Sequence, residues 1–170
     1  GSSSSNNIVL ASDGKVTFPQ NTGNILQVVS TNVDGTSSYA MSNQNSYYEI
    51  TALTTNITTS AANSKILVSA GVGGEGSQND HQQHLRFGRV IGGSLSIIFK
   101  GADASSRTTC IANHQQGYFA TNQSTTPSYN SFTNMLDSPS QAAGTTITYK
   151  FFVASSEGAG ATYYLNRSVT

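Results

Sequence analysis

The sequence predicts an all-β fold, an antiparallel jelly roll or β-sandwich of about ten short strands with a short N-terminal β stem. Three observations predict it. Runs rich in Val, Ile, Thr, Tyr and Phe recur about every 10 residues and are separated by Gly- or Asn-bearing turns. No segment sustains the 3.6-residue period of an amphipathic helix. The composition is polar but not disordered: Ser, Thr, Asn and Gln make up 71 of 170 residues and only 9% are charged, yet 8 Tyr and 7 Phe supply a packed core.

The length suits one domain. Residues 1–23 read as a linker and short β stem, and residues 24–170 as the head. Gly1 to Ser5 form the linker. In the stem, Ile8, Leu10, Val16 and Phe18 are apolar, Asp13-Gly14 is a hairpin turn signal, and Pro19 and Gly23 close the unit. The head begins with an apolar strand, ILQVVST (25–31). YYEITALTTNITTS (47–60) alternates, with Ile50, Leu53 and Ile57 inward. KILVSAGVGG (65–74) is a nearly continuous apolar run, as expected of a strand covered on both faces.

HLRFGRVIGG (84–93) places Leu85, Phe87 and Val90 inward and Arg86 outward, and LSIIFKG (95–101) returns after Gly92-Gly93 as its hairpin partner. RTTCIAN (107–113) and YFATNQS (118–124) are weaker strands. SYNSFTNMLDSPS (128–140) ends in a turn at Asp137-Ser138-Pro139. TTITYKFFVASS (145–156) is the strongest strand. Glu157 to Gly160 turn the chain, and ATYYLNRS (161–168) pairs back. The absence of any 20–50-residue repeat argues against a propeller or solenoid.

Composition also limits function. Eight basic and eight acidic residues cancel, so there is no basic excess for nucleic acid. No apolar run reaches the length of a membrane span, and the opening GSSSSNN is not a signal peptide. A single cysteine, Cys110, rules out an intrachain disulfide framework or a multi-cysteine zinc site. A neutral, amide- and hydroxyl-rich surface of this kind fits an extracellular or virion β-structure.

GKVTFPQNTGNILQVVST, SKILVSAGVGG, RFGRVIGGS, LDSPSQAAGTTITYKFFVASS and TYYLNRS, in this order and spacing over residues 14–170, resemble the C-terminal globular domain of phage tail-fibre and virion appendage proteins, cyanophage proteins especially. The resemblance implies a jelly roll similar to the trimeric tumour-necrosis-factor and complement globular-head folds. It further implies a homotrimer at the tip of a fibre or spike, located on the virion, joined to other virion proteins through the N-terminal stem and attaching to a host-surface glycan or protein. It also implies a further strand after Asn166-Arg167-Ser168, where this sequence has only Val169 and Thr170.

Phe99, Tyr149, Phe151, Tyr163 and Tyr164 form a reserve of aromatic surface that either fills the core or lines a subunit interface.

Catalytic patterns are weak, and no enzyme activity and no cofactor are expected. GGSLS (92–96) and GEGSQ (74–78) both fail the nucleophile-elbow pattern. Asp13, Asp34, Asp103, Asp137 and Glu157 have turn-forming explanations, and Glu49 reads as a solvent-facing strand residue, so no paired carboxylates stand out. His81 and His84 have metal-ligand residue types at i and i+3, but in a loop-like stretch without an alternating His-x-His, so no metal site is assigned. Cys110 reads as a small buried residue, and the glycines of GVGGEG (71–76) as turns or close backbone approaches.

The candidate binding residues sit in polar loops, where amides and imidazoles meet sugar hydroxyls and aromatic faces meet sugar C–H surfaces. They are Asn79, Asp80, His81 and Gln82, then His114, Gln115, Tyr118 and Phe119, and finally Tyr129 in SYNSF. The loop NQNS (43–46) is a further polar stretch.

Overall fold

Strand pairing starts at the N-terminus with the stem. Val9–Leu10 (β1) pairs antiparallel with Val16–Thr17 (β2) as a separate two-stranded ribbon. The computed structural model describes residues 9–10, 16–17, 25–77, 82–102, 104–105, 108–114, 128–156 and 160–167.

The head follows as Ser37–Met41 (β3), Tyr48–Glu49 (β4), Thr55–Thr58 (β5), Ile66–Gly76 (β6), Gln83–Ile91 (β7), Ser94–Ile98 (β8), Ala112–His114 (β9), Ser128–Asp137 (β10), Thr146–Ser155 (β11) and Ala161–Leu165 (β12). These ten strands form two antiparallel sheets. The four-stranded sheet runs β10-β6-β12-β3. In the six-stranded sheet β11 and β7 are central, β4 and β5 share the outer side of β11, and β8 and β9 share the outer side of β7. With each of these last two pairs counted as one broken strand, the order is that of a jelly roll.

Local chemistry explains the breaks. The run 47–60 alternates as expected and buries Ile50 fully, with Leu53 and Ile57 packed at the core margin. A 3₁₀ turn at Thr51–Leu53 splits it into β4 and β5. The β7–β8 hairpin turns on Gly92 (φ 56°) and Gly93 (φ 82°), both in the left-handed region that favours glycine. In β6 the glycines serve close approach: a Cβ on Gly74 would lie 2.5 Å from both the Tyr163 hydroxyl and the Tyr164 carbonyl.

The core fills the space between the sheets. Ile66, Val72, Phe132, Met135, Tyr163 and Leu165 come from one sheet, and Leu85, Phe87, Ile147, Tyr149, Phe151 and Val153 from the other. Phe87 is its aromatic hub. It stacks on Tyr149 (5.5 Å between ring centroids) and Phe99 (5.9 Å) and meets Phe151 edge-on (4.8 Å). Of the five aromatics held in reserve, Tyr149, Phe151 and Tyr163 are buried, Phe99 packs against the core, and Tyr164 carries the Arg167 guanidinium 3.4 Å from its ring centroid. The core, rather than an interface, accounts for most of them.

Four expectations are corrected. Residues 25–31 form no strand: they lie exposed on the surface without a sheet partner. In β7 the inward face is Leu85, Phe87 and Arg89, because alternation from Phe87 puts Val90 on the outer face with Arg86. Asp137 is a buried strand residue that pairs with Arg89 rather than serving a turn. Glu49 is half-buried in an ion pair with Lys150 (2.8 Å) and also accepts from Thr54 (3.0 Å). Of the two weaker strands, only Ala112–His114 forms from the first, and 118–124 lies outside the described residues.

Candidate functional site

Antiparallel register brings several loops to one end of the sandwich. β6 ends there at Gly76, β7 starts there at Gln83, β9 ends there at His114, β11 ends there at Ser155, and β12 starts there at Ala161. The connections 42–47, 78–81, 115–127 and 157–159 all leave from this end, since each joins strand ends gathered there. The sequence expectation located the binding residues in or beside two of these connections, with Tyr129 on β10 as a third stretch.

Gln82 is the centre of the described part. Its backbone N–H donates to Ser156 Oγ (3.0 Å), and its carbonyl accepts from the Ser156 N–H (2.9 Å). Its side-chain Oε1 accepts from Asn113 Nδ2 (3.2 Å). His114 lies one register step away, paired with Gln83. Tyr129 belongs to the other sheet, opposite Gly73 near the same end, and is 71% exposed. Its ring lies across Gly71, where a Cβ would sit 1.9 Å from the phenol oxygen. Asn79, Asp80, His81, Gln115, Tyr118 and Phe119 lie outside the described residues. The structure therefore joins Gln82 and the His114 position in one sheet and sets Tyr129 apart on the other.

Sequence reasoning passed over several residues of this end. Gln44 donates from Nε2 to the Ser156 carbonyl (2.6 Å), and Asn45 N–H donates to the Ser155 carbonyl (2.8 Å). Beside them the Tyr48 phenol oxygen accepts from the backbone N–H groups of Ser42 and Asn43, both at 3.0 Å. These bonds, led by the Ser42 hydroxyl contact, hold the Tyr48 phenol below its usual range against an opposing desolvation effect. Asn113 is the remaining addition. The polar loop 43–46 was visible in the sequence, but its pairing with Ser155 and Ser156, more than 100 residues away, was not.

A second polar cluster lies on the outer face of the six-stranded sheet. Arg86 donates from Nε to the Thr109 carbonyl (2.7 Å), and its guanidinium carbon lies 3.8 Å from the Tyr47 ring centroid. Burial raises the Tyr47 phenol and the Cys110 thiol, with Arg86 opposing both shifts. Burial, reinforced by Arg86, lowers the His84 imidazole. Cys110 is thus kept protonated and is a weak nucleophile.

Three acidic residues of the described part are matched to cations. Glu49 pairs with Lys150, Asp137 with Arg89, and the fully buried Glu75 with Arg167. Among the described residues no three of His, Cys, Asp and Glu converge on one point. Among the described residues, the chemistry at the loop end is hydrogen bonding by neutral amides and hydroxyls. No protein-family model, curated protein or solved structure matches the chain.

Proposed function

We propose that the chain is the head of a phage tail fibre or spike, a virion structural protein that attaches the particle to the host surface by binding a glycan or protein receptor. The observation that carries this reading is the gathering of uncharged amide and hydroxyl groups, Gln44, Gln82, Asn113 and Ser156, at one end of a rigid jelly roll. Such groups match the paired donor and acceptor character of sugar hydroxyls, and loops on a rigid scaffold are where binding groups collect. The neutral composition suits copies packed side by side, and the reading includes a homotrimer joined to other virion proteins through the stem.

The test is competition. Purified head should block adsorption of phage particles to host cells and should score on a glycan array. A Gln82→Ala, Tyr129→Ala double variant should lose at least about tenfold in blocking, the scale of one or two lost contacts. A wild-type head blank in both assays overturns the attachment reading.

A second reading, a trimerising or capsid-decoration domain that touches no receptor, is favoured by the apolar surface at Ile25, Leu26, Val28 and Val29. Blank adsorption together with a stable oligomer would select it.

A further inference from the structure

Two features of this chain are incomplete in complementary ways. The first is residues 25–30, Ile-Leu-Gln-Val-Val-Ser. They lie on the surface outside any helix, strand or turn, with Ile25 83% and Val28 80% exposed, and Leu26 and Val29 also partly uncovered. Among the described residues, none of the six has a hydrogen-bond partner or a strand beside it. Four large apolar side chains in water, next to backbone donors and acceptors left to solvent, make a strand without a sheet.

The second feature is an interrupted sheet. On one side β6 pairs with β10 over Ile66–Gly74. On the other side β12 reaches only Gly74–Gly76, and one more bond follows, Asn166 N–H to the Gly73 carbonyl (3.0 Å). There β12 stops: Asn166 adopts φ 55°, its side chain turns to the Val33 and Gly35 carbonyls, and Arg167 folds back onto Glu75. Below Gly73 no described strand occupies the β12 side of β6. Leu67 on this stretch is 63% exposed, and Val68, Ala70, Leu53 and Ile57 are only partly covered.

We propose that residues 25–30 of one copy add as a strand to the open edge of β6, from Ile66 to Val72, in a second copy. The dimensions agree. Six extended residues span about 20 Å, and the seven residues of the open edge about 23 Å. The chemistry agrees as well. Neither 25–33 nor 66–74 contains a charge, so two neutral segments meet without a desolvation penalty for ions. Main-chain bonds supply affinity, and the alternating apolar side chains cover Leu67 on one face and Val68 and Ala70 on the other.

A second copy is favoured over the chain's own segment. Thr31 donates its hydroxyl to Thr55 on β5 (2.7 Å), which holds the end of the segment in the same copy beside the other sheet.

The inference rests on the self-association in the proposed function and is independent of receptor binding. Sedimentation of the full chain, with and without Val28→Asp, tests it first. Val28 is exposed, so the variant should fold normally while its dissociation constant rises at least about tenfold. Mixed cysteine variants then locate the contact. One chain carries Cys at position 27, 28 or 29, and the other carries Ser69→Cys. Mixing should yield a disulfide between chains, identified by mapping the linked peptides.

A monomeric wild-type chain overturns both the inference and the proposed oligomer. An oligomer that Val28→Asp leaves unchanged overturns the inference alone. So does crosslinking that appears only when both cysteines are in one chain. Lost adsorption with intact crosslinking counts against receptor attachment and leaves the strand exchange standing.

Discussion

Arg89 and Asp137 meet across the core, Nη1 to Oδ1 at 2.5 Å, and so tie β7 of one sheet to β10 of the other. Tyr149 completes the arrangement by donating its hydroxyl to Oδ2 (2.7 Å). Burial, reinforced by the Asp137 carboxylate, pushes the Tyr149 phenol far above its usual range, so it stays a hydrogen-bond donor at any ordinary pH. Both oxygens of a buried carboxylate are thereby satisfied, whereas Arg89 Nε has no partner.

Removing Asp137 alone should cost more than removing all three. Asp137→Ala strands a buried guanidinium and a buried phenol, and should cost about 3–5 kcal/mol. Tyr149→Phe deletes one hydrogen bond and should cost about 1 kcal/mol. The triple variant Arg89→Met, Asp137→Leu, Tyr149→Phe should recover most of the loss, because it leaves no orphaned polar group. Urea denaturation of the set measures this, and a triple variant no more stable than Asp137→Ala refutes it.

This clamp also marks where the sequence stopped being legible. The β7–β8 hairpin at Gly92-Gly93, the inward Ile50 and the long β11 were readable because period-two alternation and turn chemistry are local. Arg89 was not, because a charged residue reads as outward unless its partner is known, and Asp137 lies 48 residues away in the other sheet. Residues 25–31 misled for the opposite reason: they have strand composition, but pairing needs a neighbouring strand, and none of the described strands pairs with them. At the candidate site the loops were legible as polar stretches. The gathering of the strand ends that flank them was not, since it follows from sheet order.

His84 should confer a pH dependence of stability. Burial and the adjacent Arg86 charge hold its folded pKa below the ordinary value of 6.5, so the unfolded chain binds the proton first. The neutral imidazole's contribution is complete above about pH 6.5 and is lost as pH falls from there through the depressed folded value. The urea midpoint should therefore drop between about pH 7 and pH 5. In His84→Gln the drop should be shallower, with the other two histidines unchanged as internal controls. Parallel profiles for the two proteins would contradict the assignment.

Cys110 should react slowly. Its thiol is half-buried, and burial raises its pKa more than Arg86 lowers it. Little thiolate then forms near neutrality. Alkylation by iodoacetamide at about pH 8 should be several-fold slower in the native chain than in urea. Equal rates would mean that the thiol is freely exposed and unperturbed.

Gly71 and Gly74 occupy the same strand yet should lose different amounts of stability on substitution by alanine. At Gly71 the nearest atoms to an added Cβ all belong to Tyr129, the hydroxyl at 1.9 Å and the ring edge behind it. That side chain is exposed and can swing away, so Gly71→Ala should cost less than about 1 kcal/mol and expose Tyr129 to faster quenching. At Gly74 the Cβ meets the hydroxyl of the fully buried Tyr163 and, equally close at 2.5 Å, the backbone carbonyl of Tyr164. Backbone in a paired strand cannot swing away, and Tyr164 is held there by its register with Glu75. Gly74→Ala should therefore cost about 2–3 kcal/mol. Adding Tyr163→Phe should not restore stability, because the carbonyl clash remains. Recovery in that double variant would show that the hydroxyl alone sets the limit, and equal losses at the two glycines would refute the contrast altogether.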